Sequence, residues 1–344
     1  MFYIYQHSCI SPQQTFQDID LNILNDAEEG KLKVVETRYE GIAPALLRRM
    51  GKAVRIGVGA GLPLVKENPD GIIIGTANGG MEDCIKFLDQ IVEYNEGMLT
   101  PGNFVQSTNN AVAGQLGMMS RNTGYNTTHV HRAAAFENAI MDVDMLLKEN
   151  PSNRYLLGAV DEISSANYNI EILDGSYKKE PVSNKALYDS ATAGSIAGEG
   201  AVMFLAGISP QNAVARLDAT QFFQAADINI VIDRLRHFLE RHLQPGENID
   251  VLLSGENGDI RLQPFYDAVE NELPQHISVA RFKHMSGEYP TAVAFACWLS
   301  AYILQQQSIP QHAIKKNASS ETVKKILIYN NYKGLQHSFI LMSR

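Results

Sequence analysis

The sequence predicts a layered α/β fold made of two similar halves, and three observations carry that reading. Short apolar strands alternate with segments of helical period along the whole chain. Some strands, such as Gly71–Gly75 (GIIIG), are apolar at every position, as expected where both faces of a sheet are covered. The strand–helix rhythm of the first two hundred residues then starts again after Gly207.

In order, Gly71–Gly75 reads as a strand, and Met81–Tyr94 follows as an amphipathic helix with Ile85, Leu88, Ile91 and Val92 on one face. Ala111–Met119 is an apolar helix. Ala133–Leu147 is another, ended by the turn Asn150-Pro151-Ser152-Asn153. Tyr155–Val160 and Gly200–Leu205 are strands. The second half repeats the pattern: strand Ala213–Leu217, helix Ile228–His242, strand Ile249–Leu253, helix Phe265–Leu273 and strand Ile277–Ala280. Pro290–Gln306 is a long apolar helix, and Lys325–Tyr329 with Ser338–Leu341 forms a closing hairpin. No repeat is visible letter by letter, so the division into 1–207 and 208–344 rests on rhythm alone.

Composition narrows the function. The chain has 344 residues, 45% of them hydrophobic, enough for a large core. Its 29 Lys and Arg against 38 Asp and Glu give a net charge of −9, which argues against neutralising phosphates on a nucleic acid. Cys9, Cys84 and Cys297 are too scattered for a disulfide framework or a metal site and suit a reducing cytoplasm. The start, Met1-Phe2-Tyr3-Ile4-Tyr5, has no signal-peptide pattern, and no apolar run reaches the length of a membrane span. Gly79-Gly80 and Gly198-Glu199-Gly200 match neither phosphate-loop nor dinucleotide fingerprints and read as tight turns. His129 and His131 share a face, but no third ligand accompanies them, so no metal and no cofactor is expected. Cys84 and Cys297 read as buried helix residues.

Four segments fall in a specific order: Ser107-Thr108 with Val112-Ala113-Gly114, then Gly158-Ala159-Val160-Asp161, Gly198-Glu199-Gly200-Ala201 and Lys283-His284-Met285-Ser286-Gly287-Glu288, with His131-Arg132-Ala133-Ala134 between the first two. Together they resemble the landmarks of the β-ketoacyl-acyl-carrier-protein synthases, members of the thiolase superfamily. The resemblance implies a five-layer αβαβα fold with mixed sheets. It also places Ala133 where that family has a nucleophilic cysteine at a helix N-terminus, a site that favours thiolate. The family's two histidines, which polarise the malonyl thioester carbonyl, fall on Glu288 and in the segment Ser254–Asp259, at Glu256. Lys283 of the last motif is retained, while the glycine-rich C-terminal loop is reduced to Tyr332-Lys333-Gly334-Leu335.

With all three catalytic groups gone, the resemblance implies a chain-length-factor-like subunit without independent activity, most similar to those of aryl-polyene and flexirubin pigment pathways. Such a subunit pairs with an active ketosynthase and shapes its acyl tunnel. Thr108, Val112, Gln115, Met118, Met119 and Phe136 are the tunnel and interface candidates, the methionines suiting an adaptable apolar contact. The acidic balance implies that an acyl carrier protein docks mainly on the partner. Two alternatives stand beside this reading: an acyltransferase with a rearranged site around Glu288, and a homodimer that only binds an acyl ligand.

Overall fold

Ile72, Ile73 and Ile74 point alternately to two different cores, which is why the whole strand is apolar: Ile72 and Ile74 join one cluster and Ile73 another. The computed structural model describes residues 1–36, 38–318 and 322–344. Its main sheet comprises β1 (Phe2–Ile10), β2 (Gly71–Thr76), β3 (Tyr125–Val130), β4 (Tyr155–Asp161), β5 (Gly200–Gly207), β6 (Ala215–Gln224), β7 (Val251–Ser254), β8 (Ser278–Arg281), β9 (Ile314–Lys316), β10 (Lys325–Tyr332) and β11 (Gln336–Ser343). The longer helices are α1 (Lys52–Val65), α2 (Met81–Glu93), α3 (Ala111–Ser120), α4 (Ala135–Glu149), α5 (Ser165–Leu173), α6 (Ile228–His242), α7 (Gln263–Glu272) and α8 (Val293–Gln306).

The strand order is β9-β8-β7-β10-β11-β6-β1-β5-β4-β2-β3. Outward from β1 it runs β5, β4, β2, β3; outward from β6 it runs β11, β10, β7, β8, with β9 added outside. The directions also match: β4–β2–β3 and β10–β7–β8 are parallel, while β1–β5–β4 and β6–β11–β10 are antiparallel. The two halves therefore share one topology, and they join where Phe2–Ile4 pairs with Ala215–Leu217.

Three apolar clusters separate the five layers. One packs α1 and α3 on the outer face of the N-terminal half, and another packs α6 and α7 outside the C-terminal half. Between them, α4 and α8 share a cluster that takes Ile73, Leu157 and Phe204 from one half and Leu253, Ile328 and Ile340 from the other. A buried apolar helix such as α8, interrupted only by Ser300, belongs in that middle layer.

Several elements differ from the sequence expectation. The strand expected at Ala213–Leu217 is β6, which runs on to Gln224 to pair with β11. β1 and α1 have no counterpart in the sequence reading. In α1, Gly57 and Gly61 let α3 cross closely, since Cβ atoms there would lie 2.7 Å from Val112 and Leu116. The apolar face expected for α2 is not a core face: Leu88 and Val92 are exposed, and Ile85 and Ile91 are half-buried. Cys84, expected to be buried, is half-buried, whereas Cys297 is in the core.

Candidate functional site

The helix that would carry a nucleophile enters through a strained turn. Arg132 has φ +47° and begins a short helical turn, Arg132–Ala134, that runs into α4. Ala133 is 3% exposed and Ala134 and Ala135 are fully buried. This helix start lies tight against β2: a Cβ on Gly75 would come 2.8 Å from the Ala135 backbone, so only glycine fits there.

Asp161, at the end of β4, ties the surrounding loops together. Its carboxylate accepts from Thr76 Oγ1 (3.0 Å), the Ala77 N–H (2.9 Å), Thr291 Oγ1 (2.6 Å) and the Thr291 N–H (3.2 Å). Burial still pushes its pKa above the ordinary range, outweighing those donors. Glu199 acts similarly, accepting from the Val34 and Ile163 N–H groups and pairing with Lys52 at 2.6 Å.

The Lys283–Glu288 segment is a single helical turn, stopped by Gly287 at φ +72°. Gly287 lies back to back with Gly198, where an added Cβ would be 2.1 Å from the Ser286 carbonyl. That contact brings Glu288 inward. Lys283 Nζ, completely buried, donates to Glu288 Oε1 (2.6 Å), and Asn257 Nδ2 donates to Oε2 (2.8 Å). Both carboxylate oxygens are thus occupied, and the charge is compensated by a buried ammonium.

Glu256 does not join this group. It turns toward Arg281 (3.2 Å) and Lys315 (2.7 Å), and Lys315 also holds Glu270 (2.8 Å). Asn257, which the sequence reading did not single out, is the residue of that loop that meets Glu288. Glu137 was missed as well. It lies one turn beyond Ala133 on α4, is 1% exposed, and its Oε2 has no hydrogen-bond partner among the described residues. Burial pushes its pKa up to about 7, with the Ser338 hydroxyl and Lys283 offsetting part of the effect. A carboxylate in the apolar run Ala133–Ile140 was the available signal.

Asn257 and Glu288 form the floor of a cavity of about 300 Å³ walled by Tyr177, Leu262 and Tyr332. Its mouth is spanned by Lys333, paired with Glu171 (2.5 Å) and Asp174 (2.7 Å), and by Arg261, which reaches Asp259 (2.5 Å) and the Gly175 carbonyl (2.7 Å).

The chemistry of this arrangement is that of a closed site. The thiols of Cys9 and Cys297 are both buried, and burial pushes Cys9 up to about 12 and Cys297 well above its ordinary value, so neither offers a thiolate. His284 is bonded to Tyr188 and His312, and His337 to Tyr329 and the Ala225 carbonyl. His129 bonds Asp142 (2.8 Å) and His131 is exposed. Among the described residues no group of three His, Cys, Asp or Glu could hold a metal, and no helix is long and apolar enough to cross a membrane.

The tunnel and interface candidates are split by the fold. Val112 packs against α1 and Phe136 is buried in the middle layer beside Phe204. Gln115 and Met119 are half-buried, whereas Thr108 and Met118 are exposed. Met118 is one of several exposed apolar residues of the N-terminal half, with Val92 (80% exposed), Met98 (81%) and Phe104.

Two matching halves, five layers and an inward-pointing helix mouth at their centre define a thiolase-like fold of the condensing-enzyme type. Residues 26–206, just over half of the chain, match the family described as β-ketoacyl synthase, N-terminal domain. The chain belongs to the β-ketoacyl synthase family. No curated protein matches it in sequence. Among solved structures it is similar in fold to the ishigamide ketosynthase/chain length factor (TM-score 0.77, 13% identity, covering 99% of this chain and 98% of that one). It is similar to a ketosynthase (ApeO) in complex with its chain length factor (ApeC) from Xenorhabdus doucetiae (TM-score 0.78, 14% identity, 99% and 97% covered). A β-ketoacyl synthase from Burkholderia phymatum STM815 is also similar (TM-score 0.76, 13% identity, 100% and 99% covered).

Proposed function

We propose that this chain is a non-catalytic, chain-length-factor-type subunit that pairs with an active β-ketoacyl synthase in polyketide or fatty-acid-type biosynthesis, with aryl-polyene assembly as the intended pathway class. The observation that carries the reading is Ala133 buried at the start of α4, together with a Glu288 already held by Lys283 and Asn257. A methyl group cannot take an acyl chain from a thioester, and an occupied carboxylate adds no nucleophile.

The exposed apolar side chains of Val92, Met98, Phe104 and Met118 support the pairing, because large apolar side chains left in water on one half suit a protein contact. β3 lies at the open edge of the sheet in the same half. Thr108, Gln115, Met118 and Met119 are the residues of this chain nearest that role. The division at residue 207, the docking of a carrier mainly on the partner and a cytoplasmic setting are parts of the same proposal.

The test is co-expression with ketosynthases encoded beside this chain, followed by intact mass measurement of the purified pair after exposure to acyl-carrier substrate. The expected result is an acyl adduct on the partner only, with product length changing when Met118 or Met119 is enlarged. A covalent acyl adduct on this chain would overturn the reading.

A further inference from the structure

The cavity over Glu288 is lined for one kind of small molecule. Its volume of about 300 Å³ lies at the lower end of the range for ligand pockets, about 300–1,000 Å³. The floor offers acceptors. Lys283 and Asn257 each take one lone pair of the Glu288 carboxylate, and a carboxylate has about four. Acceptor sites therefore remain on an anion that borders the space. The Asn257 amide oxygen, which receives the Asp259 N–H, keeps a second lone pair as well. The Tyr332 hydroxyl is a third polar group at the cavity. Its side chain is only 8% exposed, and among the described residues that hydroxyl bonds nothing.

The potential inside is negative. Glu171, Asp174, Asp259 and Glu288 line the cavity with Arg261 and Lys333. Lys283 pairs with Glu288 without lining the space, and one net negative charge is left. Burial, then Glu171, Glu288 and Asp161, push the Tyr332 hydroxyl well above the ordinary tyrosine range.

The chain already places one ammonium in these surroundings. Lys333 stands in the turn between β10 and β11 at φ +56°, and its Nζ lies 5.5 Å over the Tyr332 ring. The same Nζ is held between Glu171 and Asp174. Arg261 is likewise engaged, by Asp259 and the Gly175 carbonyl. An entering anion would meet a carboxylate beside each of these cations and another on the floor.

We propose that this cavity binds a small organic cation, an alkyl- or arylammonium. Its N–H groups donate to Glu288 and the Tyr332 hydroxyl, and its carbon skeleton lies against Tyr177, Leu262 and Tyr332. The site uses neither a nucleophile nor a second subunit, so it does not depend on the pairing reading.

Three probes of one shape and different charge test this on the purified chain: phenethylammonium, phenethyl alcohol and hydrocinnamate, titrated by ligand-observed NMR. Phenethylammonium should saturate with a Kd of about 0.1–1 mM and bind at least about tenfold more tightly than the alcohol. Hydrocinnamate should not saturate. Tyr332→Phe, which loses only the hydroxyl, should bind the ammonium about fivefold more weakly. Lys333→Met frees Glu171 and Asp174 and removes a competing cation, so it should bind about fivefold more tightly. Damage to the fold would not produce that gain. The absence of saturable phenethylammonium binding by the folded wild type would overturn the proposal. So would equal or tighter binding of hydrocinnamate, or an ammonium affinity that Tyr332→Phe does not lower and Lys333→Met does not raise.

Discussion

The two halves of the sheet share a topology but end differently. Beyond β8 the C-terminal half adds β9, whose Val279–Lys316 and Ala280–Ile314 pairings cover the edge, and Lys315 and Lys316 face it with charge. Beyond β3 the N-terminal half adds no strand. It instead inserts α2 and the short helix Pro101–Gln106 between β2 and α3, where the C-terminal half passes from β7 straight to α7. That insertion carries the exposed Val92 and Phe104. A lone edge with charged cover is protected against pairing, whereas an open edge beside apolar side chains is suited to it. The difference is one of surface chemistry laid over a shared framework.

The largest effect expected from this contrast is on association. Replacing Met118 and Phe104 together by Glu should weaken pairing with the ketosynthase by about a thousandfold, roughly 4 kcal/mol, because two charges would be buried without partners. The melting temperature of the isolated chain should hardly move, since both residues are exposed. Ile230→Glu on the outer helix α6 is the control, and loss of pairing there instead would break the comparison.

The layer that both halves share should respond to pH. The pKa of Glu137 is raised in the folded chain to about 7, so the fold binds its proton more tightly than the unfolded chain does. Stability from this group is therefore present below about 4.5 and is lost as the pH rises through 7. Glu137→Gln should stabilise by about 3 kcal/mol more at pH 8 than at pH 4.5, read from urea midpoints. A variant whose advantage is the same at both pH values would show that the carboxyl titrates normally.

The covered edge gives the smallest effect. Lys315→Met should cost about 1–3 kcal/mol, because Glu256 is buried and would keep only Arg281. Pairing with the ketosynthase should be unchanged, and any loss would mean that the two edges are not separate in function.

The fold was legible wherever periodicity reports burial. Gly71–Gly75 and the long apolar Pro290–Gln306 were read as strand and helix because covered positions explain them, and the structure has Gly71–Thr76 and Val293–Gln306. α1 was invisible because its glycines and Pro63 oppose helix propensity, and the reason for Gly57 and Gly61 lies in α3, more than fifty residues away. β1 was read only for a targeting signal, although it forms the join between the halves. In α2 the helical period was legible, but periodicity does not separate a face packed in the core from one left for another protein. Ala133, Lys283 and Glu288 were singled out by motif order, whereas the ion pair between Lys283 and Glu288 was not foreseen. Asn257 and Glu137 were not, because their roles arise from loops and helices brought together across the sequence.

The two rims of the sheet differ in what they offer a neighbouring strand: one ends on the three residues Ile314–Lys316, two of them lysines, the other on the six residues Tyr125–Val130. A rim that short and that charged gives an incoming strand little backbone to pair with, so strand addition, where it occurs, is directed to the other rim.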